Sequence, residues 1–296
     1  MGGACEKKST EKPPGDNGAI TALDRAGSDS SDKAVDPSKV DTTPLPGISI
    51  AQLDTDKQKL FYTLIASFNS PCGKAHSLRT SFTTDTSCKR APFAVRYVLS
   101  LIDDDASEAT VREFYASKYF PKPSKAVQFD VAKAPHVGNQ DAPIKLYEFY
   151  DYACPHCEKF KPVMEQVLHE REGKVVTYFM QFPLVGRHPD SKSASQAALA
   201  ALAQGKFPAM HDLLFAKTPT HNHDAVTGYA KELGLDMTKF EADYAALGPQ
   251  VEGDLKQGED AGVDSTPTVF FNTRKYEGPM VAKYLEMWID EELAAR

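Results

Sequence analysis

The positions of the hydrophobic residues predict helices in the first part of the chain. Between residue 48 and about residue 120, apolar residues recur three and four positions apart. The first run consists of Leu53, Leu60, Phe61, Leu64, Ile65 and Phe68. Residues at this spacing share one face of a helix. Ser107, followed by Glu108, suits the N-cap of a last helix. We therefore expect a small three-helix module that Pro121 and Pro123 end.

The pattern then alternates between strand and helix. Val127, Phe129 and Val131 alternate with other residues, as in a half-buried strand. Further along, the pattern predicts a strand over 144–150, a helix over 155–171, a strand over 174–182, helices over 191 to about 262, a hairpin over 268–272 and 275–277, and a helix over 279–293. This order predicts an α/β fold with one inserted helical subdomain.

Composition adds an expectation for the amino-terminal end. Residues 1–47 are rich in Ser, Asp, Lys, Pro, Gly and Thr and poor in large apolar side chains. Such a segment cannot bury enough surface to offset its chain entropy, so we expect a disordered tether. The predicted organisation is a tether over 1–47, a helical module over 48–122 and an α/β domain over 123–296, with the helical insert at about 188–262.

Charge and hydropathy exclude two classes of protein. The net charge of -7 argues against non-specific nucleic-acid binding, which needs a cationic surface. No apolar run approaches the roughly 20 residues of a transmembrane helix. Cys5, in Met-Gly-Gly-Ala-Cys, resembles the lipid-bearing cysteine at the end of a bacterial lipoprotein signal, without the apolar region that should precede it. A candidate lipid anchor and an incidental thiol in a disordered tail therefore both stay open.

The most informative stretch is Cys154-Pro155-His156-Cys157, where a predicted strand gives way to a helix. At a helix N-terminus, free N–H groups and the helix dipole favour an anion, which lowers the pKa of the first thiol. Pro155 suits the first turn, where its missing N–H costs nothing. His156 can stabilise the thiolate further by charge or hydrogen bonding. Cys154 should therefore attack a partner disulfide, and Cys157 should resolve the mixed disulfide.

Other interpretations of the cysteine pair are weaker. Half of a zinc site would need further ligands, but no second C-x-x-C is present, and His221 and His223 fall in a polar loop that we expect to be solvated. Covalent haem attachment would need His after Cys157, where Glu158 stands. A purely structural disulfide is the remaining alternative. We expect a redox pair without metal or cofactor.

The segment from Glu148 to Cys157, Glu-Phe-Tyr-Asp-Tyr-Ala-Cys-Pro-His-Cys, resembles the active-site segment of DsbA-type proteins with a thioredoxin fold. Ser-Thr-Pro-Thr-Val-Phe-Phe-Asn, from Ser265 to Asn272, is similar to the cis-proline loop of that family. Between these two segments lies a stretch similar to the family's helical insertion. The resemblance covers about residues 126–296 and implies a thioredoxin fold with a helical insertion, preceded here by the small all-α module.

The resemblance also assigns roles. It implies that Pro267 is cis and lies beside the disulfide, while the Thr266 backbone pairs with a bound polypeptide. It places Glu148 where the family carries a buried acid that can move protons to and from Cys157. A strand residue that faces solvent is the alternative for Glu148. The threonine at 266 departs from the aliphatic residue of the best-known oxidases and leaves the direction of electron flow open.

A second cysteine pair lies in the helical module. Cys72 and Cys88 are sixteen positions apart and can form a structural disulfide, the interpretation that we favour. The alternative is a second redox pair. The module resembles the small three-helix redox domain of cytochrome c maturation proteins of the CcmH type, although His76 stands where a nearby second cysteine would be expected.

The sequence thus predicts an enzyme that forms or reshuffles disulfides in exported polypeptides. The expected partners are polypeptides with thiols or disulfides and a membrane redox partner. The expected location is the periplasm or cell envelope of a bacterium. The alternatives are a reductase for cytochrome c maturation, a non-catalytic periplasmic chaperone, and a copper carrier that uses the thiolates of Cys154 and Cys157.

Overall fold

The computed structural model describes residue 32 and residues 35–121 and 126–296. Cys5, Pro123 and most of the expected tether lie outside these residues. The part of the tether that is described lies against the helical module. Leu45 is buried, and Arg79 donates a hydrogen bond of 2.8 Å to Asp41. A short 3₁₀ turn, Pro37–Lys39, precedes these contacts.

The described residues of the module are all-α, as expected, but they form four α-helices rather than three. They are α1 (Thr55–Ser67), α2 (Leu78–Thr83), α3 (Ala91–Asp103) and α4 (Glu108–Tyr119). Ser107 caps α4 by accepting a hydrogen bond from the Thr110 N–H, as predicted. The helix that the sequence missed is α2, whose six residues are too few to show a helical repeat. Ser77 caps this helix by accepting from the Thr80 N–H.

The strand expected around Phe129 is wrong. Residues 127–131 have no regular structure, and the first strand, β1, is His136–Gly138. Phe129 is nonetheless buried against the rings of Tyr147, Phe149 and Phe270. The alternation of apolar residues therefore marks one face of a loop that packs on the sheet. Its period alone does not distinguish such a loop from a strand.

In the described part of the chain, five strands form one sheet in the order β1-β3-β2-β4-β5. Beside β1, they are β2 (Ile144–Tyr150), β3 (Val175–Gln181), β4 (Thr268–Phe271) and β5 (Arg274–Lys275). β2 and β3 run parallel, joined by helix α5 (Pro155–Glu170), and the other pairs are antiparallel. Every residue of β3 is buried, as expected of a central strand that is covered on both faces.

Five helices are inserted between β3 and β4, and one more ends the chain. The inserted helices are α6 (Ser191–Leu202), α7 (Phe207–Ala216), α8 (His223–Glu232), α9 (Met237–Ala246) and α10 (Gly248–Asp260), and the last is α11 (Ala282–Ala294). They confirm the predicted α/β class with a helical insertion. The insertion has its own apolar core, which also takes in Tyr150, Tyr152 and both cysteines of the pair at 154 and 157.

The amino-terminal module shares a second core with the last helix. Trp288 of α11 is buried against Phe271 and Tyr276, in the same cluster as the apolar residues of α1, α3 and α4. The Lys118 ammonium lies 4.0 Å from the Trp288 ring centre and 3.0 Å from the Glu291 carboxylate. Trp288 is thus a packing residue, and a buried ion pair joins α4 to α11.

Candidate redox site

Cys154 lies where the buried strand β2 ends and α5 begins. It is the N-cap residue of α5, in an extended backbone conformation, and Pro155 occupies the first turn. The backbone N–H groups of that turn have no partner inside the helix, so they are free to face the cysteine sulfur. Cys154 is 6% exposed and Cys157 is fully buried. Both are free thiols. Because Cys157 has no exposed surface, only Cys154 can meet a reaction partner.

The loop that follows the helical insertion and leads into β4 packs against the Cys154 sulfur. The Thr266–Pro267 peptide bond is cis. The Cys154 Sγ lies 3.4 Å from the backbone oxygen of Thr266. Strand β4 begins directly after Pro267, at Thr268, whose partner across the sheet is Phe149 of β2. Because β2 and β4 are hydrogen-bonded neighbours, the sheet itself holds Thr266 next to Cys154.

The two thiols have opposite electrostatic surroundings. The pKa of Cys154 is lowered to about 4, chiefly by a hydrogen bond from the Cys157 thiol, with further hydrogen bonds from the backbone N–H groups of His156 and Cys157 in the first helical turn. Burial raises the pKa of Cys157 well above its usual range. At neutral pH, Cys154 is therefore a thiolate and Cys157 a protonated thiol.

His156 contributes to this arrangement through its backbone. Its N–H is one of the donors that lower the pKa of Cys154, while its side chain is exposed. Exposed Pro155 precedes it at the mouth of the site. The sequence indicated a role for the His156 side chain in stabilising the thiolate, and this role stays a prediction.

Glu148 is buried in β2, at 4% exposure, so it is not a strand residue that faces solvent. It lines a cavity of about 250 Å³ together with Lys161, Phe179, His211 and Asp212. Burial raises the pKa of Glu148 to about 8, and the positive charge of Lys161 opposes this rise. Glu148 is therefore mostly protonated at neutral pH and can release a proton just above it.

Cys72 and Cys88 form a disulfide in the module. Cys88 is buried in the core, whereas Cys72 lies in an exposed loop. Lys74, two residues after Cys72, forms an ion pair of 3.0 Å with Asp85, which lies three residues before Cys88. The disulfide and the ion pair together hold the loop before α2 against the turn that leads into α3.

Several polar residues near the site were not predicted. The expectation of a solvated His221 is wrong: His221 is fully buried, with its Nε2 3.3 Å from the backbone oxygen of Tyr152. His223 is exposed and pairs with Glu241. The Tyr152 hydroxyl lies 3.0 Å from the Nδ1 of buried His211. These contacts bring residues from the insertion to the segment between β2 and α5, which no local pattern in the sequence could indicate.

Two further findings concern only the residues that the structure describes. Among them, no group of three or more His, Cys, Asp or Glu side chains is arranged to hold a metal ion. Within the same residues, no helix is long and apolar enough to cross a membrane.

Sequence comparison finds both a family and curated relatives. The model of the thioredoxin family matches residues 130–291. The Na(+)/H(+) antiporter NhaA 3 of Salinispora tropica is 33% identical over 145 residues, which cover 48% of this chain and 22% of that protein. The Na(+)/H(+) antiporter NhaA 1 of a Mycobacterium species is 33% identical over 152 residues, which cover 50% of this chain and 25% of that protein. This chain thus spans a quarter or less of the length of these relatives.

Comparison with solved structures finds the same fold. A thioredoxin-like oxidoreductase from Silicibacter pomeroyi is 26% identical, with a TM-score of 0.51, over 56% of this chain and 95% of that one. Oxidised BdbD from Bacillus subtilis is 22% identical, with a TM-score of 0.52, over 57% of this chain and 97% of that one. Both likenesses take in nearly the whole of the other protein and about half of this chain.

Proposed function

Since the chain belongs to the thioredoxin family, we propose that it is a thiol–disulfide oxidoreductase that forms or reshuffles disulfides in exported polypeptides. Its DsbA-like thioredoxin fold, expected from the sequence, is confirmed. One observation carries the proposal: the Cys154 sulfur lies at the N-terminus of α5 and beside the Thr266 backbone oxygen, with its pKa lowered to about 4. A thiolate at that position is the form that exchanges with disulfides.

The roles of the two cysteines follow from their surroundings. A substrate thiolate attacks Cys154 of the oxidised pair, the bond between Cys154 and Cys157 breaks, and Cys157 leaves as a thiolate that takes up a proton. A second substrate thiolate then attacks the substrate sulfur of the mixed disulfide and releases Cys154 as a thiolate. Two electrons pass from the substrate to the protein, and the substrate gains a disulfide.

The neighbouring residues bind and assist. The backbone of Thr266, beside Pro267, pairs with the extended polypeptide and brings its sulfur to Cys154. Glu148 gives a proton to the departing Cys157 or takes one from it, because a carboxyl group with a pKa near 8 exchanges protons readily at neutral pH. Pro155 and His156 form the accessible rim of the pair.

The electrostatics of the cysteine pair favour oxidation of substrate thiols over the alternative function, a reductase for cytochrome c maturation. A thiolate stabilised to a pKa of about 4 stabilises the reduced protein, so the oxidised pair accepts electrons readily. The disulfide between Cys72 and Cys88 supports an oxidising compartment such as the periplasm or cell envelope. A membrane redox partner that reoxidises the pair, and a lipid anchor at Cys5, complete the proposal.

The reduction potential of the pair tests this function. We would equilibrate the protein with glutathione buffers and count the thiols at Cys154 and Cys157 by peptide mass mapping. We expect a potential of about -120 to -180 mV, the range of DsbA and protein disulfide isomerase. A value near the roughly -270 mV of thioredoxin would favour the reductase instead. Failure of the pair to exchange would contradict an oxidoreductase, and Cys154→Ala is the inactive control.

A further inference from the structure

Asp151, three residues before Cys154, carries a carboxylate that the exchange chemistry does not use. It is fully buried. One carboxylate oxygen accepts a hydrogen bond of 2.8 Å from the Ala153 N–H. The other accepts bonds from the Leu184 N–H at 2.8 Å and the Ser191 hydroxyl at 3.0 Å, and it lies 2.8 Å from the His188 Nδ1. A buried carboxylate with four partners is held in one place.

The same residue reaches the buried cysteine through its backbone. The Asp151 N–H donates to the Cys157 Sγ at 3.5 Å, and this hydrogen bond lowers the pKa of Cys157 against the larger effect of burial. Because the donor and the anchored carboxylate belong to one residue, the four partners of the carboxylate also fix the direction of the N–H. The hydrogen bond thus depends on side chains outside β2 and α5.

A second anchor holds the segment between Asp151 and Cys154. The Thr218 hydroxyl and the His221 ring both lie in hydrogen-bonding contact with the Tyr152 backbone oxygen. Thr218 and His221 come from the loop between α7 and α8, whereas His188 comes from the loop before α6. Thr218 and His221 therefore still hold the segment between Asp151 and Cys154 when His188 is substituted. We do not expect a substitution at His188 to detach this segment.

We propose that His188 is a positioning residue for Cys157: paired with Asp151, it keeps the Asp151 N–H directed at the Cys157 sulfur while negative charge is present there. This inference rests on the proposed thiol–disulfide exchange. In substrate oxidation, Cys157 is the leaving thiolate when its bond to Cys154 breaks. In substrate reduction, the Cys157 thiolate attacks Cys154 of the mixed disulfide, and the substrate leaves as a thiolate. Both steps place negative charge on the same sulfur, so one fixed donor assists both.

The test separates the two cysteines kinetically. His188→Asn removes the ring that contacts Asp151, and His223→Asn, which breaks the exposed pair with Glu241 at 2.9 Å, is the matched control. The first measurement is the rate at which dithiothreitol opens the oxidised pair, with Cys157 as leaving group. The second is the rate at which iodoacetamide alkylates Cys154 of the reduced protein. Peptide mass mapping at Cys154 and Cys157 reports both.

We expect His188→Asn to slow the opening of the disulfide about two- to tenfold, the effect of weakening one hydrogen bond. Alkylation of Cys154 should stay at the wild-type rate, and His223→Asn should change neither rate. Ser191→Ala, which removes another donor to the same carboxylate oxygen, should slow the same step and serves where His188→Asn does not fold.

Two results would overturn the positioning role: an equal loss in both rates, which would indicate general damage to the site, or no change relative to His223→Asn. The oxidoreductase proposal would be untouched by either result, because wild-type protein would still exchange. A wild-type pair that dithiothreitol does not open would instead overturn both proposals together.

Discussion

At the scale of single residues, the lowered pKa of Cys154 predicts an unusual pH dependence. Only the thiolate is alkylated, and a free cysteine reaches half of its maximal rate near pH 8.5. With a pKa of about 4, the rate at Cys154 should be almost constant from about pH 5.5 upward. Iodoacetamide alkylation of reduced protein at pH 4 to 9 measures this. A rate that still rises tenfold per pH unit at neutral pH would contradict the proposed thiolate.

Glu148 predicts a pH dependence of stability. Its pKa rises from an ordinary 4.5 to about 8 on folding, so the folded state holds a proton that the unfolded chain loses. This contribution to stability is fully present below about pH 4.5 and is lost as the pH rises towards 8. Relative to Glu148→Gln, the wild type should therefore lose stability between pH 5 and 8, by a few kcal/mol at most.

Urea midpoints at pH 5 and pH 8 measure this difference. Glu252→Gln is the control, because Glu252 is an exposed carboxylate paired with Lys192. Asp254, whose pKa burial raises to about 7, titrates in both proteins, so its effect cancels in the comparison. Parallel pH profiles for wild type and Glu148→Gln would show that Glu148 is ionised in the folded protein.

At the scale of elements, helix α10 packs so closely on the sheet that only glycine fits at one point. A Cβ at Gly258 would lie 2.7 Å from the Phe182 ring and 3.0 Å from the Phe149 ring. Gly253 of the same helix is exposed and has nothing within 4 Å of its Cβ position. We expect Gly258→Ala to destabilise the protein by about 1–3 kcal/mol and Gly253→Ala to stabilise it by about 0.5–1 kcal/mol.

Thermal or urea unfolding of the two variants checks the sign of each effect. The pair is matched in helix, in residue type and in helix propensity, so the difference isolates the contact with the two rings. A Gly258→Ala variant as stable as Gly253→Ala would mean that α10 can move away from β2 and β3 without cost.

The elements that the sequence predicted well are those whose signal is local. The sequence predicts β2 at its observed bounds and α5 to within one residue, because a buried strand, a proline in the first helical turn and an apolar stripe all lie within a few residues. The cysteine pair was found for the same reason. Short α2 and the loop around Phe129 were missed or misassigned, since a period needs more residues than they have.

The parts of the site that could not be predicted depend on long-range contacts. Asp151 and His188 are 37 positions apart, and Tyr152 and His221 are 69 apart. Nothing in the spacing of these residues along the chain indicates that the insertion folds back on the segment between β2 and α5. The roles assigned to Glu148, Thr266 and Pro267 rest on resemblance and stay predictions, whereas the structure shows that Glu148 is buried, as the resemblance implied.

At the scale of the whole molecule, the helical module is attached to the α/β part by buried charge as well as by apolar packing. Glu291 of α11 is 1% exposed and Lys118 of α4 is 3% exposed. Glu291 accepts from the Tyr119 hydroxyl at 2.8 Å and pairs with Arg90 at 3.0 Å. Burial lowers the pKa of Lys118 to about 8, although Glu291 opposes this. The carboxylate is thus the shared partner of three side chains from the module.

Glu291 has more hydrogen-bonding and ion-pair partners than Lys118. We therefore expect substitutions of the two residues to lower the free energy of unfolding by unequal amounts. Glu291→Gln leaves the buried Lys118 ammonium without its ion-pair partner and should cost about 3–5 kcal/mol. Lys118→Met keeps the apolar stem, and Glu291 still has Arg90 and Tyr119, so the cost should be about 1–3 kcal/mol. Urea unfolding at pH 7 measures both, with Lys256→Met, which breaks an exposed pair with Asp260, as a control near zero. Equal costs for Glu291→Gln and the control would mean that apolar packing around Trp288 alone holds the module on α11.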